Sequence, residues 1–201
     1  MKKMKLSGST KKKTKTIIGI DYSLTSPAIC VNNGNLMFYY LTTKKKWVGQ
    51  MSENIIGYEH DDWNDPIKRF KNISNFVFYV LGKHISITIG FKSIEHIFIE
   101  GYSYGSKGQG LFQIAENCGI LKYRLLENSL PYSTVVPSVV KKGATGKGNA
   151  DKDKMYEAFV KETKIDLKKI FDTEKVGNPI SDIADSYFIQ KVGYENSIKS
   201  Q

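Results

Sequence analysis

Thr16-Ile17-Ile18-Gly19-Ile20-Asp21-Tyr22-Ser23 (TIIGIDYS) is an apolar, strand-like run that stops on a carboxylate. A second run, His96-Ile97-Phe98-Ile99-Glu100 at the head of HIFIEGYSYG, ends the same way. A third stretch, NPISDIADSYF, carries Asp182 and Asp185 three residues apart at a helix-like start. An ionised carboxylate at the end of a buried strand loses its water and is costly unless a cation offsets it. Three separate stretches of this kind point to one shared metal site. Oxygen ligands without a Cys or His cluster favour a hard ion, Mg²⁺ or Mn²⁺. At i and i+3, Asp182 and Asp185 project from one helical face. Taken alone, such a pair reads as capping and dipole compensation; beside Asp21 and Glu100 the metal reading prevails.

Outward from these runs the chain reads as alternating elements. Strands are expected at 15–23, 26–32 and 36–42. Asn32-Asn33-Gly34-Asn35 supplies residues that tolerate positive φ between the second and third, a hairpin signal. Residues 43–62 are polar and irregular. The acidic stretch YEHDDWND, Tyr58 to Asp65, reads as a lid or exposed loop rather than a metal site. Asp65-Pro66 is a helix start with Asp as N-cap and Pro at the first helical position. A strand at 94–100 precedes a Gly- and Tyr-rich loop, Gly101 to Gly110. A helix follows with Leu111, Ile114, Ala115, Cys118, Leu121 and Leu125 on one face. A fifth strand is expected at 131–136, then a flexible basic loop from Lys141 to Gly148. Helices are expected from about Ala150 to Lys161 and from near Ser181. The expectation is an α/β fold with a five-stranded mixed sheet, three antiparallel strands then two parallel, flanked by helices.

The formal charge of +10 over 201 residues points to a polyanionic partner. Part of it is a block: Lys2, Lys3, Lys5, Lys11, Lys12, Lys13 and Lys15. Such a block repels itself and is expected to stay disordered until it meets phosphate. The domain reading is therefore a basic tail over 1–15 and one domain over 16–201. No run approaches the ~18 apolar residues of a membrane span, and no secretory signal follows the tail. Cys30 and Cys118 have no CxxC partner and read as small buried apolar residues in a reducing compartment. His60, His84 and His96 lack ligand spacing. Lys141, Lys142, Lys147, Lys152 and Lys154 form a second constellation, in which Gly143, Gly146 and Gly148 let backbone amides approach phosphate; binding through it weakens steeply with salt. Thr145-Gly146-Lys147 does not satisfy GxxxxGK[ST], so no nucleotide cofactor is expected.

The order of elements, with acids at those places, resembles the RNase H-like nuclease superfamily. Within it the chain is similar to RuvC-type Holliday junction resolvases, phage-type members in particular, over roughly residues 15 to 192. IIGIDYS is similar to the family's first strand, which puts the catalytic Asp at Asp21. FIEGYSYG and the helix after it resemble the family's Glu-bearing strand and junction-facing loop, which puts a ligand at Glu100. VVKKGATGKGNADK followed by NPISDIADSYFI resembles the family's basic loop and final helix. The resemblance implies Asp182 and Asp185 as the remaining catalytic acids, with Lys141 and Lys152 beside the scissile phosphate. It also implies a homodimer that uses the 111–125 helix region at its interface. Two departures stand out: Tyr22-Ser23-Leu24 replaces the family's Pro-Gly-Ser, and Tyr102 and Tyr104 flank the place of its junction-wedging Phe. A stacked base on either tyrosine is worth roughly 1–3 kcal/mol.

A phosphodiester resists water because charge builds on both attacking and leaving oxygens. Two divalent ions about 3.5–4 Å apart relieve that. The implied activity is a Mg²⁺-dependent endonuclease that makes paired nicks in branched DNA, with two ions per site and a cytoplasmic, nucleoid-associated location. The same acids would serve an RNase H-like enzyme acting on an RNA–DNA hybrid, and the same basic surface an inert junction-binding protein. An actin-like ATPase shares GIDxS but needs a phosphate-binding Gly after the Asp and a longer chain.

Overall fold

The first apolar run forms β1 (Thr16–Asp21), every residue of it buried. The structure, a computed structural model, describes residues 15–61, 63–85, 93–102 and 109–199. The hairpin signal at Asn32–Asn35 is met: β2 (Ala28–Asn32) and β3 (Leu36–Thr42) pair antiparallel around Gly34, whose φ is 103°. β1 pairs antiparallel with β2 and parallel with β6 (Ile94–Glu100), and β6 pairs parallel with β7 (Tyr132–Val135). Three antiparallel strands followed by two parallel ones are as expected.

Among the described residues the sheet nevertheless has seven strands, in the order β4-β5-β3-β2-β1-β6-β7, rather than five. β4 (Gly49–Ser52) and β5 (Ile55–Glu59) occupy the stretch that reads as irregular, with β5 parallel to β3. Their sequence hides them for a physical reason. β4 is an edge strand with Gly49 and Gln50 exposed, and β5 is short and interrupted by Gly57, so neither shows the apolar run of a buried strand. The acidic stretch is thus in part a strand end: Tyr58 and Glu59 close β5.

Among the described residues, six α-helices cover the two faces. α1 (Pro66–Lys83) begins as its sequence predicts, with Asp65 Oδ1 accepting from the Ile67 and Lys68 amides at 2.8 and 3.2 Å. It packs with α2 (Gln109–Glu127) on one face, where Ile73, Val77, Cys118, Leu121 and Leu125 meet Ile18, Ile20, Ile97 and Ile99. Both cysteines are buried free thiols. The other face carries α3 (Pro137–Thr145), α4 (Lys152–Thr163), the one-turn α5 (Leu167–Ile170) and α6 (Ile180–Lys199). Its core joins Ile17 and Phe98 to Phe159, Ile183, Phe188 and Ile189.

The basic stretch from Lys141 to Gly148 is therefore not wholly a loop: its first half is the end of α3, which closes on Gly146 at φ 80°. Gly143 disguised it. A Cβ there would lie 2.5 Å from Val192 Cγ2, so a helix-weakening residue marks the point where α3 presses on α6. Tail residues 1–14, Asp62 and Tyr104 fall outside the described residues. Lys15, read as part of the tail, pairs with Glu95 at 2.6 Å across β6.

Candidate active site

Side chains alternate across a strand, so Ile17, Gly19 and Asp21 face the α6 side while Ile18 and Ile20 face α1 and α2. On β6, Phe98 and Glu100 face the α6 side in the same way, and Ile97 and Ile99 do not. The parallel register sets Gly19 beside Phe98 and Ile20 beside Ile99. Asp21 and Glu100 therefore end neighbouring strands, on one face and at one end, about one strand spacing (~4.8 Å) apart in the sheet.

The helix that brings the other two acids needs close approach. A Cβ on Gly19 would lie 2.2 Å from the Ser186 carbonyl oxygen and 2.4 Å from the Gln190 nitrogen, so α6 rests directly on β1. That contact sets the first two turns of α6, with Asp182 and Asp185, over the strand ends. Asp21 is 9% exposed and Asp182 6%. Asp21, Glu100 and Asp185 line a cleft of about 500 Å³ together with Tyr22, Tyr102 and Lys141.

The four acids share one electrostatic field. Burial, then the charges of Asp182, Glu100 and Asp185, hold the Asp21 carboxyl well above its ordinary range, and Lys152 pulls it back. Burial pushes Glu100 to about 6 against the pull of Lys141. Burial followed by Glu100 and Asp182 pushes Asp185 to about 7, with Lys152 and Lys141 opposing. Asp182 is also raised by burial, while Ser26, Ser181 and Lys152 favour its charged form. Ionising all four carboxylates so placed is costly, and added positive charge would relieve that cost.

The donor set fits a hard divalent ion. It is all oxygen, it is desolvated, and Asp182 Oδ2 is buried with no hydrogen-bond partner. Among the described residues, no group of three or more acid, His or Cys side chains is arranged to hold a metal ion. An open set is ordinary for Mg²⁺, which takes one or two carboxylates and completes its shell with water and substrate oxygens.

No protein-family model and no curated protein matches the chain. Solved structures do. Thermus thermophilus RuvC superposes with a TM-score of 0.54 at 14% identity, covering 90% of this chain and 96% of the other. The chain has the fold of RuvC. Thermus thermophilus RuvC in complex with a Holliday junction substrate gives a TM-score of 0.55 at 14% identity, over 92% of this chain and 96% of the other. The yeast mitochondrial Holliday junction resolvase Ydc2 gives 0.50 at 16% identity, over 96% and 86%.

Within this RuvC-like fold the basic residues divide. Lys152 and Lys141 act on the acids, as just described, from the first residue of α4 and the last turns of α3. Lys142 and Lys147 are exposed on α3 and the turn after it. Tyr102 lines the cleft, 42% exposed, with Lys122 Nζ 5.0 Å from its ring centre. Sequence reasoning missed Ser181 and Ser26. Lys152 Nζ donates to Ser181 Oγ at 3.3 Å, and that oxygen lies 3.2 Å from both Asp182 Oδ1 and Asn178 Oδ1. Buried Ser26 biases Asp182 toward its charged form without completing a close hydrogen bond. Adjacency to Asp182 was the only signal for Ser181; for Ser26 there was none, since it reaches the site from the β1–β2 connection.

Proposed function

We propose that the protein is a divalent-metal-dependent, structure-selective endonuclease that resolves four-way DNA junctions by paired nicks. The observation that carries this reading is the convergence of Asp21 and Glu100, from adjacent parallel strands, with Asp182 and Asp185 from α6, flanked by Lys141 and Lys152. Asp21, Glu100, Asp182 and Asp185 would hold two Mg²⁺ ions, with Mn²⁺ as a substitute. Ions held there neutralise a phosphate and make bound water a better nucleophile. Asp21, at the end of a strand paired on both sides, is the natural shared ligand. Lys152 balances the buried acids, and Lys141 at the cleft wall faces the incoming phosphate. Tyr102 offers a ring for an unstacked base; Tyr104 is assigned the same role from sequence. Lys142, Lys147 and the 1–15 tail add backbone contacts. The likeness in fold to RuvC bound to a Holliday junction and to the yeast mitochondrial Holliday junction resolvase supports branched DNA as the substrate.

A homodimer supplies the second nick. Phe112, Tyr123 and Leu126 on α2 are 69%, 61% and 70% exposed, which supports that helix as the contact surface. No helix among the described residues is long and apolar enough to cross a membrane. A nucleoid-associated, cytoplasmic location follows from the DNA substrate.

The test compares nicking of a labelled four-way junction, a linear duplex and an RNA–DNA hybrid, in Mg²⁺ or in EDTA. Paired cuts in the junction alone, abolished by EDTA, are expected. Asp21→Asn should bind the junction and not cut it. Equal cutting of hybrid and junction would replace the substrate assignment, and normal cutting by Asp21→Asn would overturn the site.

A further inference from the structure

A second basic surface stands apart from the Lys141–Lys154 constellation. Lys44, Lys45 and Lys46 leave the end of β3 as three consecutive exposed lysines. β3 is antiparallel to β2, and β2 to β1, with Asp21 opposite Ala28 and Ala28 opposite Tyr40. β3 therefore ends at the same end of the sheet as the carboxylates. The face is shared as well, because Trp47, the next residue, is buried in the core beneath α4 to α6.

This triplet is held rather than loose. The Lys44 amide donates to Thr42 Oγ1 at 3.1 Å and the Trp47 amide to the Lys44 carbonyl at 2.9 Å. Trp47 Nε1 donates to the Phe171 carbonyl at 3.1 Å, its ring meets Phe171 edge-on at 5.5 Å, and its carbonyl accepts from Tyr40 Oη. Lys44 Nζ and Lys46 Nζ lie 4.2 and 5.0 Å from the Trp47 ring centre, which limits their sweep. The Trp47–Phe171 contact also brings up α5, with Lys168 and Lys169. Lys169 is paired with Asp166 at 3.6 Å, and Asp172 and Glu174 follow in the next turn. No acid pairs with Lys44, Lys45 or Lys46 among the described residues. Three uncompensated charges on a rigid turn are a poor device for stability and a good one for binding phosphate.

We propose that Lys44, Lys45 and Lys46 grip the phosphate backbone of a duplex arm beyond the point of cleavage. The surface lies two strands from β1, about 10 Å along the sheet. A duplex entering the carboxylate cleft reaches that far well within one helical turn of ~34 Å. The contact is to phosphates and carries no sequence preference. This inference rests on the DNA-cutting reading above, but its test is separable from it.

The experiment measures binding of wild type and of a Lys44→Ala/Lys45→Ala/Lys46→Ala variant to two four-way junctions, one with long arms and one with arms cut to a few base pairs. Salt is varied, and Ca²⁺ replaces Mg²⁺ to prevent cleavage. Each phosphate contact contributes about 0.9 to the slope of log K against log salt. The variant is expected to lose roughly two to three from that slope on long arms, and at least about tenfold in affinity at moderate salt. The loss should be much smaller on short arms. Equal slopes and affinities for the two proteins on long arms would overturn the proposal, as would an equal loss on both junctions. Wild-type discrimination between junction and linear duplex, scored in the same titrations, judges the functional reading by itself.

Discussion

Lys152 Nζ lies 3.3 Å from Ser181 Oγ, tying the first residue of α4 to the first turn of α6 and thus to Asp182. Asp151 fixes that lysine in place by capping α4, its carboxylate accepting from the Lys154 amide at 2.9 Å. Removing the charge leaves four crowded acids with Lys141 as their remaining named counter-charge. Lys152→Gln is expected to lower single-turnover cleavage by about 10²-fold, the scale seen when one preorganised charge or donor is lost. Its pH–rate profile should move to higher pH, because the acids then hold their protons longer. Ser181→Ala should show the same direction with a smaller loss. An unshifted profile for Lys152→Gln would mean that the lysine touches only substrate.

Asp185 gives a stability prediction with a definite sign. Its folded-state value of about 7 lies above the ordinary carboxyl range near 4. Between those values the folded protein keeps a proton that the unfolded chain has released, so stability falls as pH rises from 4 through 7 and then levels off. Asp185→Asn removes the penalty. Without divalent metal it should be more stable than wild type by about 1–3 kcal/mol at pH 8 and about equal to it near pH 4. Thermal melts in EDTA at the two pH values check this, alongside loss of cleavage in Mg²⁺.

Metal binding should register in the protein without any DNA. An ion that binds only the folded state stabilises by RT ln(1 + [L]/Kd), so Mg²⁺ at about 100 times its Kd adds about 2.7 kcal/mol. A rise of several degrees in the wild-type melting temperature is expected in saturating Mg²⁺. It should shrink or vanish in Asp21→Asn and Asp182→Asn. A full rise in both variants would move the ion elsewhere.

Gly19→Ala tests the seat of α6. The added methyl meets backbone atoms of Ser186 and Gln190 at 2.2 and 2.4 Å, which a rotamer change cannot relieve. A cost of about 1–3 kcal/mol is expected from overpacking, seen as a lower melting temperature. Because the clash lifts the helix that bears two of the acids, cleavage at a temperature where the variant remains folded should fall as well. Full activity in a folded variant would show that the close contact is not what sets Asp182 and Asp185.

The site was more legible than the sheet. Asp21 and Glu100 could be read because each follows an apolar run, Ile17–Ile20 and Ile97–Ile99, in an interior strand. Asp182 and Asp185 could be read because their spacing keeps them on one helix face. β4 and β5 could not, since an edge hairpin of Gly49, Gln50, Ile55 and Gly57 has neither the apolar run of a buried strand nor a regular alternation. α3 was half lost to Gly143, whose reason lies in Val192, far along the chain. Ser26 and Ser181 matter only through what the fold sets beside them, and Lys44–Lys46 look like any solvated charge run until Trp47 is seen pinned to Phe171.

The side-by-side parallel pairing of β1 and β6 has an evolutionary consequence. Inserting or deleting one residue within either strand would swing its acid through the sheet to the α1–α2 side, away from the other three. Such a lineage would lose the chemistry in one step while keeping the basic exterior. On the proposed reading, drift at this spot would leave proteins that hold DNA without cutting it.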